Sequence, residues 1–198
     1  MNDVDRPDGP DGADGRDGAG GPDPGVVRIP DDGSTGAWAG DGSIAAWRHG
    51  PYLVSTDRAL VDVAATTAFL AATYWATAIP ERIVERSLDH SIGFGLYESG
   101  RQVGFARVVS DRATFAWVGD VFIVESHRGR GLSLWLMRCV LGHPELRELR
   151  RWMLASTTAR GLYERVGFAP LATPERFLEI ADPGVHRRQR EREERSAP

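Results

Sequence analysis

The segment Val121-Phe-Ile-Val-Glu-Ser-His-Arg-Gly-Arg-Gly-Leu-Ser133 constrains this chain more than any other. An apolar strand runs into a turn made of Arg128, Gly129, Arg130 and Gly131, and an apolar helical stretch, LWLMRCVL, follows at once. Strand, tight turn and helix in that order imply a sheet covered by helices. Glycines let the backbone turn sharply and come close to a ligand. A helix N-terminus presents free N–H groups and a partial positive charge, so with two arginines beside it the turn suits a pyrophosphate. The bland alternative is a Gly-rich turn that binds nothing. The dinucleotide fingerprint is excluded, because Leu134 stands where its third glycine would be.

The pattern on either side of this segment predicts a single domain. Tyr52 to Ser55 reads as a strand, with Thr56 and Asp57 capping a helix over 58–72. Pro80-Glu81 opens a second helix. Residues 91–97 form a strand that Glu98-Ser-Gly-Arg turns back into 102–109. Residues 114–124 follow after a two-residue turn at Asp111-Arg112, then a helix over 131–141 and a buried strand over 152–155. Ser156 or Thr157 caps a last helix that presents Ala159, Leu162, Tyr163 and Val166 on one face and stops at Gly167. Phe177 to Ile180 completes the sheet. The expected fold is therefore α/β of the α+β type: a mixed, mostly antiparallel central sheet with helices on both faces.

The expected domain spans 51–182, between a leader over 1–50 and a charged tail over 183–198. Of the first 25 residues, 18 are Asp, Gly or Pro, too polar to offset their ordering entropy, so disorder is expected there. Trp38 and Trp47 leave 26–50 ambiguous, since either ring could dock on the domain. The tail RRQREREERSAP reads as a solvated helix or a frayed end.

Composition removes several chemistries. All 24 basic residues are Arg, so neither a Walker A lysine nor a Schiff-base lysine is available. The acid is concentrated in the leader, and the body is close to neutral, which argues against nucleic acid as a partner. No apolar run is long enough to span a membrane, and the N-terminus lacks the apolar core of a secretory signal. Cys139 cannot form an internal disulfide and sits in an apolar helical context, where it packs. These features fit a cytoplasmic protein. The five histidines are scattered without ligand spacing, so no metal is expected.

Arg128-x-x-Gly131-x-Ser133 after VFIV resembles the Arg/Gln-x-x-Gly-x-Gly/Ala motif of GCN5-related N-acetyltransferases, and ARGLYERVGF (159–168) resembles that family's helix ending in Tyr and Gly-Phe. The likeness spans about 52–180 with the elements in the family's order. YWATAIP, FGLY, GFARVV and DVFIV resemble a bacterial subgroup whose last helix usually begins with an Asp and a His, where this chain has Thr158 and Arg160. The resemblance implies the acyl-CoA N-acyltransferase fold, with acetyl-CoA in a cleft where the family's fourth and fifth strands splay apart. Phe122, Ile123 and Val124 would pair with the pantetheine arm, the Phe122 amide polarising the acetyl carbonyl. Arg128, Gly129, Arg130, Gly131, Leu132 and Ser133 would cradle the pyrophosphate. Tyr163 matches the position that often protonates the departing sulfur; the alternative is that it only fills an apolar face.

Three further side chains bear on the acceptor. Asp120 interrupts the apolar run AWVGDVFIV, and a carboxylate in a central strand is costly unless paired or functional. It would accept the amine proton or hold a cationic substrate; the alternative is an ion pair with an Arg. Arg107 shares the parity of Val103, Phe105 and Val109, and the two-residue turn would put it opposite Ala116 on the face of Asp120, placed to grasp a carboxylate. Tyr74 and Trp75 would wall the acceptor site, or else pack in the core. The expected activity is acetyl transfer from acetyl-CoA to the primary amine of a small molecule in a ternary complex. A protein or peptide acceptor, or a non-catalytic CoA-binding module, is the alternative. The oligomeric state is left open, a homodimer included.

Overall fold

The computed structural model describes residues 35–38 and 44–196. The strands are β1 Thr35–Trp38, β2 Ala45–His49, β3 Tyr52–Ser55, β4 Ile92–Glu98, β5 Arg101–Ser110, β6 Phe115–Ile123 and β7 Arg151–Met153. The helices are α1 Val63–Ala71, α2 Glu81–Asp89, α3 Leu132–Leu141, α4 Arg160–Glu164 and α5 Val185–Ser196. The strands form one sheet in sequence order. Neighbours are antiparallel from β1 to β6, and β7 joins β6 in parallel. This is the mixed, mostly antiparallel sheet expected.

Each face of the sheet buries its own cluster. On one side Leu70 of α1 and Val84 and Leu88 of α2 close over Phe105 and Phe122. On the other, Trp135, Leu136, Met137 and Val140 of α3 pack on Phe94, Leu96, Val108 and Val118. Central strands covered on both faces read as near-continuous apolar runs, which is why VGFARVV and GFGLY carry so few charges. Ser99 and Gly100 both have positive φ, 50° and 79°, the geometry of the tight hairpin turn whose twist matches its strands.

Several expectations shift. The start placed at residue 51 falls inside the β2–β3 hairpin, and Trp47 of β2 is fully buried against Phe94, so the sheet takes in residues upstream of it. The disorder expected over 1–25 lies outside the described residues. The helix expected over 58–72 is two pieces: a 3₁₀ turn at Arg58–Leu60 capped by Asp57, then α1, whose N-cap is Asp62 accepting from the Ala65 amide at 2.8 Å. Gln102 of β5 fixes that break, accepting from the Asp62 amide at 2.9 Å and donating to Thr66 Oγ1 at 2.8 Å. The last helix shortens to α4, and the Ser156 hydroxyl accepts from the Ala159 amide at 3.1 Å.

Phe177 to Ile180 form no strand. Leu178 and Ile180 are fully exposed, and Phe177 lies under the Arg151 guanidinium at 5.5 Å. The expected two-residue turn at Asp111-Arg112 is longer, because one Asp111 oxygen accepts from the amides of Ala113, Thr114 and Phe115. A bond from the Thr114 hydroxyl, with these three from the amides, holds the Asp111 carboxyl well below the usual carboxylate range. The tail is helical as α5, which meets α2 through an ion pair of Arg82 and Glu193.

Candidate active site

The site grows from the way β6 parts from both neighbours. Toward β7 it pairs only through Phe115, Ala116 and Trp117, so its edge from Val118 onward is open. Toward β5 the register slips: Phe105 faces Phe122 but Arg107 faces Gly119, so Asp120 and Val121 together stand opposite Ala106. This is a β-bulge, a device that re-aims side chains and backbone beside active sites. Asp120 takes the strain as a left-handed residue with φ of 55°, a conformation Asp accepts better than most side chains.

The bulge decides which amides face the cleft. The Val124 amide donates to the Val103 carbonyl at 2.9 Å. Hydrogen-bonded pairs alternate along an antiparallel ladder, so Phe122, two residues back, exchanges its bonds with Phe105. The Phe122 amide expected to polarise a carbonyl is therefore spent inside the sheet. Backbone groups of Val121 and Ile123 face the open edge instead. The Phe122 ring stacks on Phe69 with centroids 3.9 Å apart, and both residues line the cleft.

At the end of the edge, Glu125–His127 make a 3₁₀ turn and Gly129 and Gly131 both adopt φ of 77°. A Cβ at either glycine would meet nothing within 4 Å, so the turn borders open space that a phosphate can enter. Gly131 is the N-cap of α3 and its carbonyl takes the Leu134 and Trp135 amides. The amides of Leu132 and Ser133 belong to the first turn, which has no intrahelical acceptors. The Leu132 side chain is buried in the core, so only its backbone can serve a ligand. The two arginines part company. Arg128 lines the cleft and donates from Nε to the Ile123 carbonyl at 3.1 Å, whereas Arg130 turns to the Tyr52 hydroxyl at 3.1 Å and the Ser126 carbonyl at 3.0 Å.

These elements border a cleft of ≈ 740 Å³ that reaches Tyr163, Arg107, Asp120, Tyr74 and Trp75. Tyr163 is 9% exposed and meets Phe168 edge-on at 6.1 Å. Burial pushes its hydroxyl above the ordinary value, with the neighbouring Tyr74 adding to the shift. Arg107 Nε lies 2.5 Å from Asp120 Oδ2, with side chains 21% and 15% exposed. The ion pair weighed as the alternative for Asp120 is thus present, yet it stands in the cleft. Phe105 keeps to the α1–α2 side with Arg107, but Val103 packs on the opposite cluster, because a second register shift at Leu96/Tyr97 breaks the parity. Tyr74 and Trp75 meet edge to face at 4.9 Å and are exposed rather than core.

Sequence reasoning missed Phe69, Trp117 and Thr158 as lining residues, and Thr157 as the partner of the Tyr74 hydroxyl at 2.6 Å. Trp117, on β6 where pairing with β7 ends, was the one with a signal: a large aromatic in a strand next to the glycine-aspartate interruption. Arg160 lies outside this cleft; it pairs with Glu164 at 2.8 Å and borders a smaller cavity with Trp152 and Phe168. Among the described residues, no helix is long and apolar enough to cross a membrane.

Comparison with known proteins identifies the family. Residues 89–170 match the Acetyltransferase (GNAT) domain family. A candidate acetyltransferase of Gibberella zeae is 34% identical over 141 residues, covering 59% of this chain and 78% of that protein. The crystal structure of a candidate GNAT acetyltransferase from Xanthomonas campestris pv. campestris superposes with a TM-score of 0.67 at 48% identity, over 70% of this chain and 97% of that one. A candidate acetyltransferase from Deinococcus radiodurans shares the fold at 22% identity, with a TM-score of 0.57 over 70% of this chain and 94% of its own. The chain belongs to the GNAT family, and it is an acetyl-CoA-dependent acyltransferase.

Proposed function

We propose that the protein transfers the acetyl group of acetyl-CoA to the primary amine of a small molecule, by direct attack in a ternary complex. One observation carries this reading. Tyr74 and Trp75 line the cleft, and the Tyr74 hydroxyl is hydrogen-bonded to Thr157, whose neighbours Ser156 and Thr158 line it as well. A cleft with aromatic walls tied together in this way suits a small amine better than a protein side chain or chain terminus, which needs an open groove.

The open edge of β6, the bare glycines at 129 and 131 and the free first turn of α3 fit acetyl-CoA. When bound, acetyl-CoA supplies the acyl thioester. The Leu132 and Ser133 amides and Arg128 hold its phosphates, while Arg130 braces the turn from behind through Tyr52. Backbone N–H groups of Val121 and Ile123 replace Phe122 as the donors available to a carbonyl at the open edge; one such donor is worth about 10² to 10³ in rate. Attack forms the C–N bond and breaks the C–S bond, whose electron pair stays on sulfur. Tyr163 delivers a proton to that sulfur and recovers one, through water in the cleft, from the nitrogen that has shed it. Asp120, held by Arg107, is assigned to binding rather than to proton transfer.

A thiol-release screen against amines, amino acids and peptides tests the reading. Faster release with small amines than with peptides supports it. Preference for peptides would move the assignment to a protein acceptor. Tight acetyl-CoA binding without release for any acceptor would point to a regulatory module.

A further inference from the structure

Phe69, Tyr74, Trp75 and Trp117 are among the aromatic residues that line the cleft, and the Arg107–Asp120 ion pair lines it with them. That pair is only half used. Arg107 meets Asp120 through Nε and Oδ2, and among the described residues neither Arg107 Nη1 and Nη2 nor Asp120 Oδ1 makes a hydrogen bond. Both side chains are mostly buried, yet their unbonded atoms are not among the buried unpartnered ones and stay open to the cleft, where a ligand can reach them. The bulge keeps the two charges at one spot: Arg107 on β5 faces Gly119, and the left-handed Asp120 turns toward it.

Two adjacent, opposite and half-satisfied charges are complementary to a molecule that carries the reverse arrangement. A carboxylate fits the planar fork of Arg107, and an ammonium on the next carbon fits the free oxygen of Asp120. The aromatic walls then call for a flat apolar group one or two carbons away. We propose that the acceptor is a zwitterionic α-amino acid with a large aromatic or apolar side chain, docked carboxylate to Arg107 and amine to Asp120. The assignment rests on the reading of β6 as the acetyl-CoA edge. Before attack the ammonium gives up one proton to cleft water, and as the C–N bond forms the nitrogen sheds the second, which replaces the proton Tyr163 has given to sulfur.

The test compares acetylation of L-phenylalanine, phenethylamine, which lacks the carboxylate, and L-alanine, which lacks the ring. Calorimetry of acetyl-CoA with the same protein runs in parallel, together with calorimetry of N-acetyl-L-phenylalanine on the CoA-loaded protein. The expected result is a kcat/KM for phenylalanine at least tenfold above either truncated acceptor, with N-acetylphenylalanine binding detectably. Arg107→Gln should bring the phenylalanine-to-phenethylamine ratio down to about one, and Asp120→Asn should raise KM for both amines. An Arg107→Gln protein that loses rate on both acceptors while keeping their ratio would show a merely structural role and overturn the proposal. So would equal rates on the three acceptors, or acetyl-CoA binding with no phenylalanine turnover and no N-acetylphenylalanine binding. Failure of acetyl-CoA itself to bind would bring down the underlying reading along with it.

Discussion

The hydroxyl of Tyr74 stands 2.6 Å from the Thr157 hydroxyl, tying the loop between α1 and α2 to the segment between β7 and α4 beside the cleft that both segments line. The two residues are 83 positions apart in sequence. A single neutral hydrogen bond contributes about 0.5–1.5 kcal/mol. Tyr74→Phe keeps the ring and removes the tie, so the acceptor KM should rise by about 2- to 12-fold while the acetyl-CoA Kd stays constant. Steady-state kinetics with calorimetry checks this; an unchanged acceptor KM would leave the contact without a part in acceptor binding.

Gly131→Glu should abolish acetyl-CoA binding. A carboxylate would stand in the open space at the N-terminus of α3, where phosphate oxygens compete for the same amides, and φ of 77° disfavours any side chain there. Calorimetry on the variant, shown by circular dichroism to be folded, reads the outcome. Affinity within twofold of the parent would remove the turn from the cofactor site.

The strand-turn-helix around Arg128 to Ser133 was legible because every signal for it is local: an apolar run, glycines at the turn and an apolar helix behind. The same holds for the Glu98 to Arg101 hairpin and for Pro80 opening α2. What the sequence hides depends on partners. The expected pairing of Arg107 with Ala116 became pairing with Gly119, because the Asp111 carboxylate folds three amides into a longer loop, and a bulge at Asp120 then shifts the register again. Together the loop and the bulge bring Arg107 onto Asp120 and turn the Phe122 amide away from the cleft. Phe177 to Ile180 has strand composition, yet propensity alone supplies no neighbouring strand. Trp47 gave only an ambiguous signal, since Gly and Asp interrupt the pattern before it, but its ring fills the core beside Phe94.

His143 makes stability depend on pH. Its ring is 2% exposed, lies 5.6 Å from Phe94 and 6.4 Å from Trp47, and its Nδ1 has no partner among the described residues. Burial lowers its pKa from the ordinary 6.5, with Arg112 and Arg147 adding to the shift against the opposing pull of Glu145. The folded state therefore binds this proton less readily than the unfolded chain. The contribution is fully present above pH 6.5 and is lost as the pH falls toward the depressed folded value. Urea midpoints should fall as the pH drops below 6.5, and His143→Leu should flatten that slope. An equally steep slope in the variant would assign the effect to other groups.

Tyr163→Phe separates chemistry from packing. The substitution removes one hydroxyl and keeps the ring that meets Phe168, so thermal stability should change little. Burial raises the Tyr163 pKa above 10.0, so the group stays protonated through the neutral range and remains available as an acid. Loss of a positioned acid should lower the chemical step by about 10- to 1000-fold while acetyl-CoA affinity holds. The parent rate should show no decline from ionisation of this acid until the pH exceeds 10, because its raised pKa lies above that value. Product release can mask chemistry in kcat, so single-turnover rates with saturating acetyl-CoA are the measurement to rely on. Single-turnover rates within twofold of the parent would return Tyr163 to the core and leave water to protonate the sulfur.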